Sequence, residues 1–285
     1  MKTLAKYALL ITTVAGLASC SKDSEPVANN MTLHFDNTFK NTTIILGDAN
    51  ATTATTNTSA KGQIHHFSEL KYVISNIRLI KADGSEFPYN INDLDKGATV
   101  INQAKPQTLD YILSNIPVGE YKQLKFGLGV KPELNLLDQV RFPKFYAEAG
   151  ANDTKMHWEW GTGFRFTKLE GFYENDNKTL SIHTGSTVQG TADDPASYVP
   201  GVNAYRDITL TLPSLAAVGK NAPIITINAD FDKLLSGKTN TITIGAGNAT
   251  PSAHTAAQMV IYVDNLGGNG SSDISGIFSI SKVTN

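Results

Sequence analysis

From Met31 onward the apolar positions fall into short runs, many with a period of two, separated by polar turn residues. Residues 33–35, 72–80, 121–130, 180–183, 208–212, 224–229 and 259–263 are such runs. Alternation sends successive side chains to opposite faces of a strand, so these runs predict strands with a face turned to a core. Asp83-Gly84 lies between the runs 73–80 and 87–91. That predicts a hairpin with a type I′ turn, which needs positive φ at both central residues. Pro117, with Gly119 two residues on, marks the entry to another strand, and Glu174-Asn175-Asp176-Asn177 joins a further pair. No segment keeps a 3.6-residue apolar period for three turns; residues 109–113 and 256–264 are the best short helix candidates. Many short strands at regular turn spacing suggest an antiparallel sandwich or barrel. The expected fold is all-β, an antiparallel, immunoglobulin-like β-sandwich with long polar loops at 48–61, 190–205, 245–256 and 267–273.

The first thirty residues break this pattern. Lys2 and Lys6 precede an apolar run, 7–17, too short to span a bilayer as a helix. The run ends in Leu17-Ala18-Ser19-Cys20, which reads as a lipobox, where the thiol becomes the thioether to lipid. The expected organisation is a signal peptide at 1–19, a flexible lipidated tether at 20–30 and one domain at 31–285. Cys20 is the single cysteine of the chain, so the folded part has neither a disulfide nor a thiolate ligand and relies on its hydrophobic core. The tether, Ser21-Lys22-Asp23-Ser24-Glu25-Pro26, resembles the lysine-plus-acid signal that sends some Bacteroidetes lipoproteins to the cell surface. An outer-membrane lipoprotein is expected, on the periplasmic face or the cell surface, held to the membrane by its lipid alone.

Charge and motifs narrow the function. The net charge is −2 with no basic cluster, which argues against nucleic acid. His-Glu-x-x-His, Gly-x-Ser-x-Gly, phosphate-binding glycine loops and Cys-x-x-Cys are all missing, and no nucleophile has an obvious base, so no enzyme is expected. Asp230 and Asp232, two apart on an expected strand, would face one way as a solvated pair.

One stretch stands out, Met156-His157-Trp158-Glu159-Trp160-Gly161-Thr162-Gly163-Phe164-Arg165-Phe166, which holds both tryptophans. Extended, it puts Met156, Trp158 and Trp160 on one face and His157 and Glu159 on the other. It reads either as a sandwich-core strand or as a redox or soft-metal site, since thioether and imidazole suit copper. His183 closes the run 180–183 beside Gly185, well placed to reach a ligand or to cap backbone groups. His65 and His66 follow a polar loop and are expected to face solvent.

The run from Met156 to Gly163, then Phe166-Thr-Lys-Leu-Glu-Gly171 and Ile182-His183-Thr-Gly-Ser186, resembles the MbnP-like family. So do, in order, Leu33-His-Phe-Asp-Asn-Thr-Phe39, Leu70-Lys-Tyr-Val-Ile-Ser-Asn-Ile-Arg-Leu79, Ile116-Pro-Val-Gly-Glu-Tyr121 and Phe126-Gly-Leu-Gly-Val130. The resemblance implies a secreted or lipid-anchored β-sandwich associated with copper. It also implies a partner, an MbnH-like dihaem enzyme of the cytochrome c peroxidase family, that oxidises a tryptophan to kynurenine. Carried over, Trp158 or Trp160 is the oxidised residue, with Trp158 preferred. His183 is the first choice of copper ligand, Met156 and His157 follow, and His34 stands last. The best-known branch carries four cysteines and this folded part has none, and only His254 and Met259 stand where members are rich in histidine or methionine near the C-terminal end. The rival expectation is a cell-surface module that binds a glycan, a peptide or an envelope protein through its loops, with Tyr198 and Tyr205 as exposed aromatics.

Overall fold

The computed structural model describes residues 27–136, 141–149, 155–158, 163–189, 194–245, 256–269 and 276–285. The signal segment, Cys20, Trp160 and His254 lie outside the described residues. In chain order the strands are β1 (Met31–Phe39), β2 (Thr42–Thr43), β3 (Asn57–Thr58), β4 (Ile64–Lys81), β5 (Glu86–Tyr89), β6 (Thr99–Asn102), β7 (Asp110–Leu113), β8 (Gly119–Leu128), β9 (Thr167–Tyr173), β10 (Lys178–Thr184), β11 (Val188–Gln189), β12 (Val199–Pro200), β13 (Arg206–Val218), β14 (Ile224–Asp230) and β15 (Phe278–Thr284). The α-helices are α1 (Leu94–Gly97), α2 (Pro132–Asn135), α3 (Pro143–Ala149), α4 (Asp232–Leu235) and α5 (Ala256–Gly267). No helix among the described residues is long and apolar enough to cross a membrane.

Two sheets form the sandwich. One runs β15-β14-β1-β2, with β7 also on β1; the other runs β10-β9-β4-β8-β13, with β3, β5 and β6 also on β4. The 18-residue β4 is the spine of the second sheet. Its inward residues are Phe67, then Leu70, Tyr72 and Ile74, then Ile77 and Leu79, all in the core. A strict period of two would carry Leu70 and Ile77 to the opposite face. Two register shifts, between Phe67 and Glu69 and between Ser75 and Arg78, restore the phase, and Asn76 takes up positive φ at the second. β9 pairs with the first half of β4 and β8 with the second, and the two meet at Val73, which bonds Phe166 O and Gly129 N.

Aromatic rings fill the space between the sheets. Phe35 of β1 meets Tyr72 and Phe126 edge-on at 6.0 and 6.3 Å, and Phe278 of β15 meets Phe126 at 5.3 Å. The one polar tip here is satisfied, because the Tyr72 hydroxyl donates to Asn37 Oδ1 at 2.8 Å.

Several expectations need correction. Residues 109–113 are not helical: β7 takes 110–113 because its backbone completes the edge of β1. The run 259–263 belongs to helix α5 rather than to a strand, as the helix candidate at 256–264 anticipated. The first sheet is mixed, since β14 lies parallel to β1 and enters beside the same end (Thr32 opposite Ile224). The Asp83-Gly84 hairpin forms, but only Gly84 has positive φ. Its N–H bonds Lys81 O, and Ser85 O accepts from Lys81 N, a tight turn followed by a glycine bulge. β14 stops at Asp230 and Asp232 opens α4, so the two acids share no strand face. His65 and His66 do not face solvent. His65 packs edge-on against Phe39 and Phe67 in the core, and His66 lies against Phe172 with Nε2 3.2 Å from Asp48 O.

Candidate functional site

The outer face of a two-sheet sandwich ordinarily meets water, but here a second apolar cluster covers part of it. Val73 turns outward from β4 into this cluster, which also holds Val130, Phe145, Met156, Phe164, Phe166, Met259 and Val263. Helices α3 and α5 and the tryptophan segment supply the cover. That segment folds back on itself: His157 bridges Phe164, and Trp158 N–H donates to Gly163 O at 3.1 Å. Arg165 N–H donates to Met156 O, and Phe166 N–H to Thr184 O at the end of β10. The alternation read from sequence holds over the described part, with Met156 and Trp158 buried and the His157 ring half-buried between Tyr146 and Phe164.

Trp158 is fixed from two sides. The Arg165 guanidinium carbon lies 4.8 Å from the indole centroid, while Arg165 Nη1 donates to Lys155 O and His157 O. The other contact is Gly185. A Cβ there would lie 2.9 Å from Trp158 Cζ2, 3.1 Å from Nε1 and 2.7 Å from Phe164 O, so only glycine lets the indole edge reach this backbone. Gly185 N–H in turn donates to Met259 Sδ at 3.3 Å. Indole edge and thioether therefore converge on one glycine, with the sulfur delivered by α5 from far along the chain. Gly185→Ala, in a Trp160→Phe background that leaves one tryptophan, should shift Trp158 emission to the red while the far-ultraviolet dichroism is retained. An emission spectrum identical to the parent's would refute this packing.

His183 stands two residues before Gly185, on the outward face of β10, and is buried. Its Nε2 lies 2.9 Å from Glu170 Oε1 on β9 and 3.3 Å from Ser181 Oγ. The bond to His183 and then the charge of Lys168 hold the Glu170 carboxyl down at about 2, against the opposing cost of burial. Glu170 is thus a carboxylate, and Nε2–H is the donor. The row continues along the outer face: Lys168 binds Glu170 at 3.3 Å and Glu69 at 2.7 Å, and Glu69 binds Lys71. His157 Nδ1 donates to Trp158 O at 2.9 Å, which leaves Nε2 as the basic nitrogen. Burial, with the nearby Arg165 charge, lowers the His157 pKa and keeps its ring neutral.

His34 is not part of this assembly. It alternates with the fully buried Leu33 and Phe35, so it points out from the other sheet, where Nδ1 pairs with Asp110 at 2.7 Å. Among the described residues no group of three His, Cys, Asp or Glu side chains lies close enough to hold a metal ion. What the fold brings together is Trp158, Met259 and Gly185, beside the strand end that carries His183. The sequence offers Met259 only with His254 as a candidate near the C-terminal end, and it gives Glu170 and Arg165 no mark. The short apolar run inside the 256–264 helix candidate was the available signal for Met259. Tyr205 is not an exposed aromatic either. It lies over Gly127 and its hydroxyl bonds Asp207 and Asn76, and Tyr198 is half-buried.

These elements define a β-sandwich protein with an indole and a thioether set beside an imidazole on the outside of one sheet. The family model MbnP matches residues 28–255, and the chain belongs to the MbnP family, a family associated with copper. Among solved structures the chain is similar to MbnP from Methylosinus trichosporium, with 13% identity and a TM-score of 0.54, over 89% of this chain and 98% of that one. At that identity the likeness is one of fold. No curated protein sequence matches the chain.

Proposed function

We propose that this protein is a non-enzymatic, copper-binding lipoprotein of the cell envelope, anchored through Cys20 in the outer membrane. Its copper site is completed when an MbnH-like dihaem partner of the cytochrome c peroxidase family oxidises Trp158 to kynurenine. The observation that carries this reading is the convergence of Trp158 Nε1 and Met259 Sδ on Gly185, two residues from His183. The donor chemistry fits copper, since thioether and imidazole are soft-to-intermediate ligands.

Indole nitrogen is a donor only of its proton. Oxidative cleavage of the Cγ–Cδ1 bond, with two equivalents of a peroxide reduced to water at the haem partner, leaves a ketone at Cγ and an N-formyl group. Hydrolysis then releases Cδ1 as formate and frees Nε1 as an aryl amine, at the edge that faces Gly185. The residues proposed to hold the metal are then the modified Trp158, Met259 and His183. Glu170 keeps Nε2–H of His183 engaged and turns Nδ1 toward the metal, the arrangement by which carboxylates orient metal-bound histidines. Met156 and Met259 are both buried in the same cluster, but Met259 Sδ is the sulfur that meets Gly185 N–H beside the Trp158 edge, so Met259 supplies the thioether, with His157 as an auxiliary donor through Nε2.

Intact mass of the protein from its native host tests the modification, because kynurenine formation gains an oxygen and loses a carbon. Copper titration tests the site: Met259→Leu should weaken binding by about tenfold or more, and Trp158→Phe should abolish the modified mass while Trp160→Phe keeps it. An unmodified native mass with no copper retained after dialysis would sink the proposal. The rival reading, a surface module for glycan or peptide, finds no support in the placement of Tyr198 and Tyr205.

A further inference from the structure

Of the eight large apolar residues exposed among the described ones, four gather at one end of the sandwich, whereas Ile64, at the opposite end, stands apart from them. Val27 and Val118 are 59% and 61% exposed, and Leu215 and Ile224 are 40% and 41% exposed. Their backbones are gathered by direct bonds. Ala28 N–H donates to Gly219 O, Ile116 N–H donates to Asn29 O, and Thr32 N–H donates to Pro223 O. A Cβ at Gly219 would touch Val118 Cγ1, and Asn285 clasps the backbone of Leu215 and Ala217. Four apolar side chains thus crown the loops 114–118 and 219–223.

Two further facts say what this end meets. Val27 is seven residues from Cys20, so the reach from the lipid anchor to the fold is at most about 25 Å. The loops read Ser-Asn-Ile-Pro-Val and Gly-Lys-Asn-Ala-Pro, without a carboxylate, and their one charge is the exposed Lys220. A lipid surface accepts such a composition: valine, leucine and isoleucine enter the headgroup boundary, lysine is attracted to anionic headgroups, and no carboxylate has to be desolvated. Asp83 and Glu120 stand at the rim, on the hairpin and at the start of β8.

We propose that this end is a bilayer-contact surface, seated on the phospholipid leaflet that holds the acyl chains of Cys20. The proposal rests on the lipoprotein reading of Cys20. Contact at this end fixes the orientation of the whole sandwich. β4 ends at Lys81 beside the membrane and begins at Ile64 on the far side, about 55 Å of strand contour away. The Trp158 site lies along its flank, over Val73, and so faces water where a soluble partner can dock.

The test uses acylated protein reconstituted on phosphatidylethanolamine–phosphatidylglycerol vesicles. Because Cys20 is the single cysteine and is blocked by lipid, Val118→Cys, Leu215→Cys and Asp176→Cys each give one labelling site, and all three positions are exposed. Asp176, in the β9–β10 turn beside Ile64, is the distant control. An environment-sensitive dye at 118 or 215 should shift to the blue and lose emission to brominated acyl chains, while the dye at 176 does neither. Equal responses at the three positions, or none at 118 and 215, overturn the proposal. The intact mass of the same preparation separates the two readings. A mass without acyl chains overturns the lipoprotein reading and this one together, whereas an acylated protein whose 118 and 215 dyes stay in water overturns this one alone.

Discussion

Gly171→Ala should destabilise the protein by about 3 kcal/mol or more, beyond the usual range for an added methyl in a packed interior. At this position a Cβ would lie 2.1 Å from His66 O and 2.8 Å from Phe67 Cα, both main-chain atoms of β4. The bulge between Phe67 and Glu69 bends β4 over β9, which is why a glycine sits opposite it. A side-chain obstacle can rotate away, but a backbone one moves only if the ladder opens. Because β9 carries Glu170 and Lys168, opening the ladder also releases the partner of His183. Urea denaturation measures the effect. Gly62→Ala is the control: Gly62, unlike Gly171, has positive φ, but nothing lies near its would-be Cβ, so it should cost no more than about 1–2 kcal/mol of backbone strain. Equal midpoints for Gly171→Ala and the parent protein would contradict the close approach of β4 and β9.

Stability should also fall steeply as the medium is acidified from pH 6.5 toward pH 4, chiefly through His65. Burial lowers its pKa from 6.5 to about 4, with the backbone carbonyl of Gln63 and the charge of Asp232 opposing only in part. The residue is 1% exposed and its Nε2 has no hydrogen-bond partner among the described residues, so a proton there meets no acceptor from them. The unfolded chain, titrating at 6.5, binds the proton more readily than the native state throughout this interval. Stability is therefore complete above pH 6.5 and is lost as the pH falls through the window, by about 3 kcal/mol at its lower end. His157, lowered by burial in the same sense, adds to the slope. Glu170 acts lower, since its stabilisation is lost only as the pH falls from about 4.5 toward 2. His65→Phe keeps a ring between Phe39 and Phe67 and should flatten the slope between pH 6.5 and 4. A slope unchanged from the parent protein's would exclude His65 as its source.

Much of the fold was legible because period-two patterning and turn residues act locally. β1, β8, β10 and β14 begin or end within a few residues of their apolar runs, and the Glu174–Asn177 turn joins β9 to β10 as read. The failures came where distant parts of the chain decide. β14 pairs with β1 across some 190 residues, and nothing local says that the pairing is parallel. His65 looked polar and adjacent to a loop, but β4 is covered on both faces over much of its length, which removes the alternation that would have marked it. The same covering hid the site. Lys71, Lys168 and Glu170 carry no local signal in the sequence, yet with His183 they form a polar row on the sheet face that a second apolar cluster, assembled from α3, α5 and the tryptophan segment, partly covers. Trp158 was singled out by its company of motifs. The sulfur beside it was not, because a helix contributes Met259 from more than seventy residues away.

The parallel pairing of β1 with β14 also sets an order of events for the growing chain. β1 is among the first elements to emerge, yet its long-range partner and the outermost strand beyond it, β15, are the last. Until residue 224 has been made, β1 can pair only with the short strands β2 and β7, and one of its edges stays open. An edge of alternating Leu33 and Phe35 is adhesive in this state, and contacts of such high sequence separation form slowly. A chain interrupted between β13 and β14 is left with one finished sheet and a β1 open along the edge that β14 covers. The protein therefore has a vulnerable interval during synthesis, and holding chaperones are most needed for its first strand rather than its last.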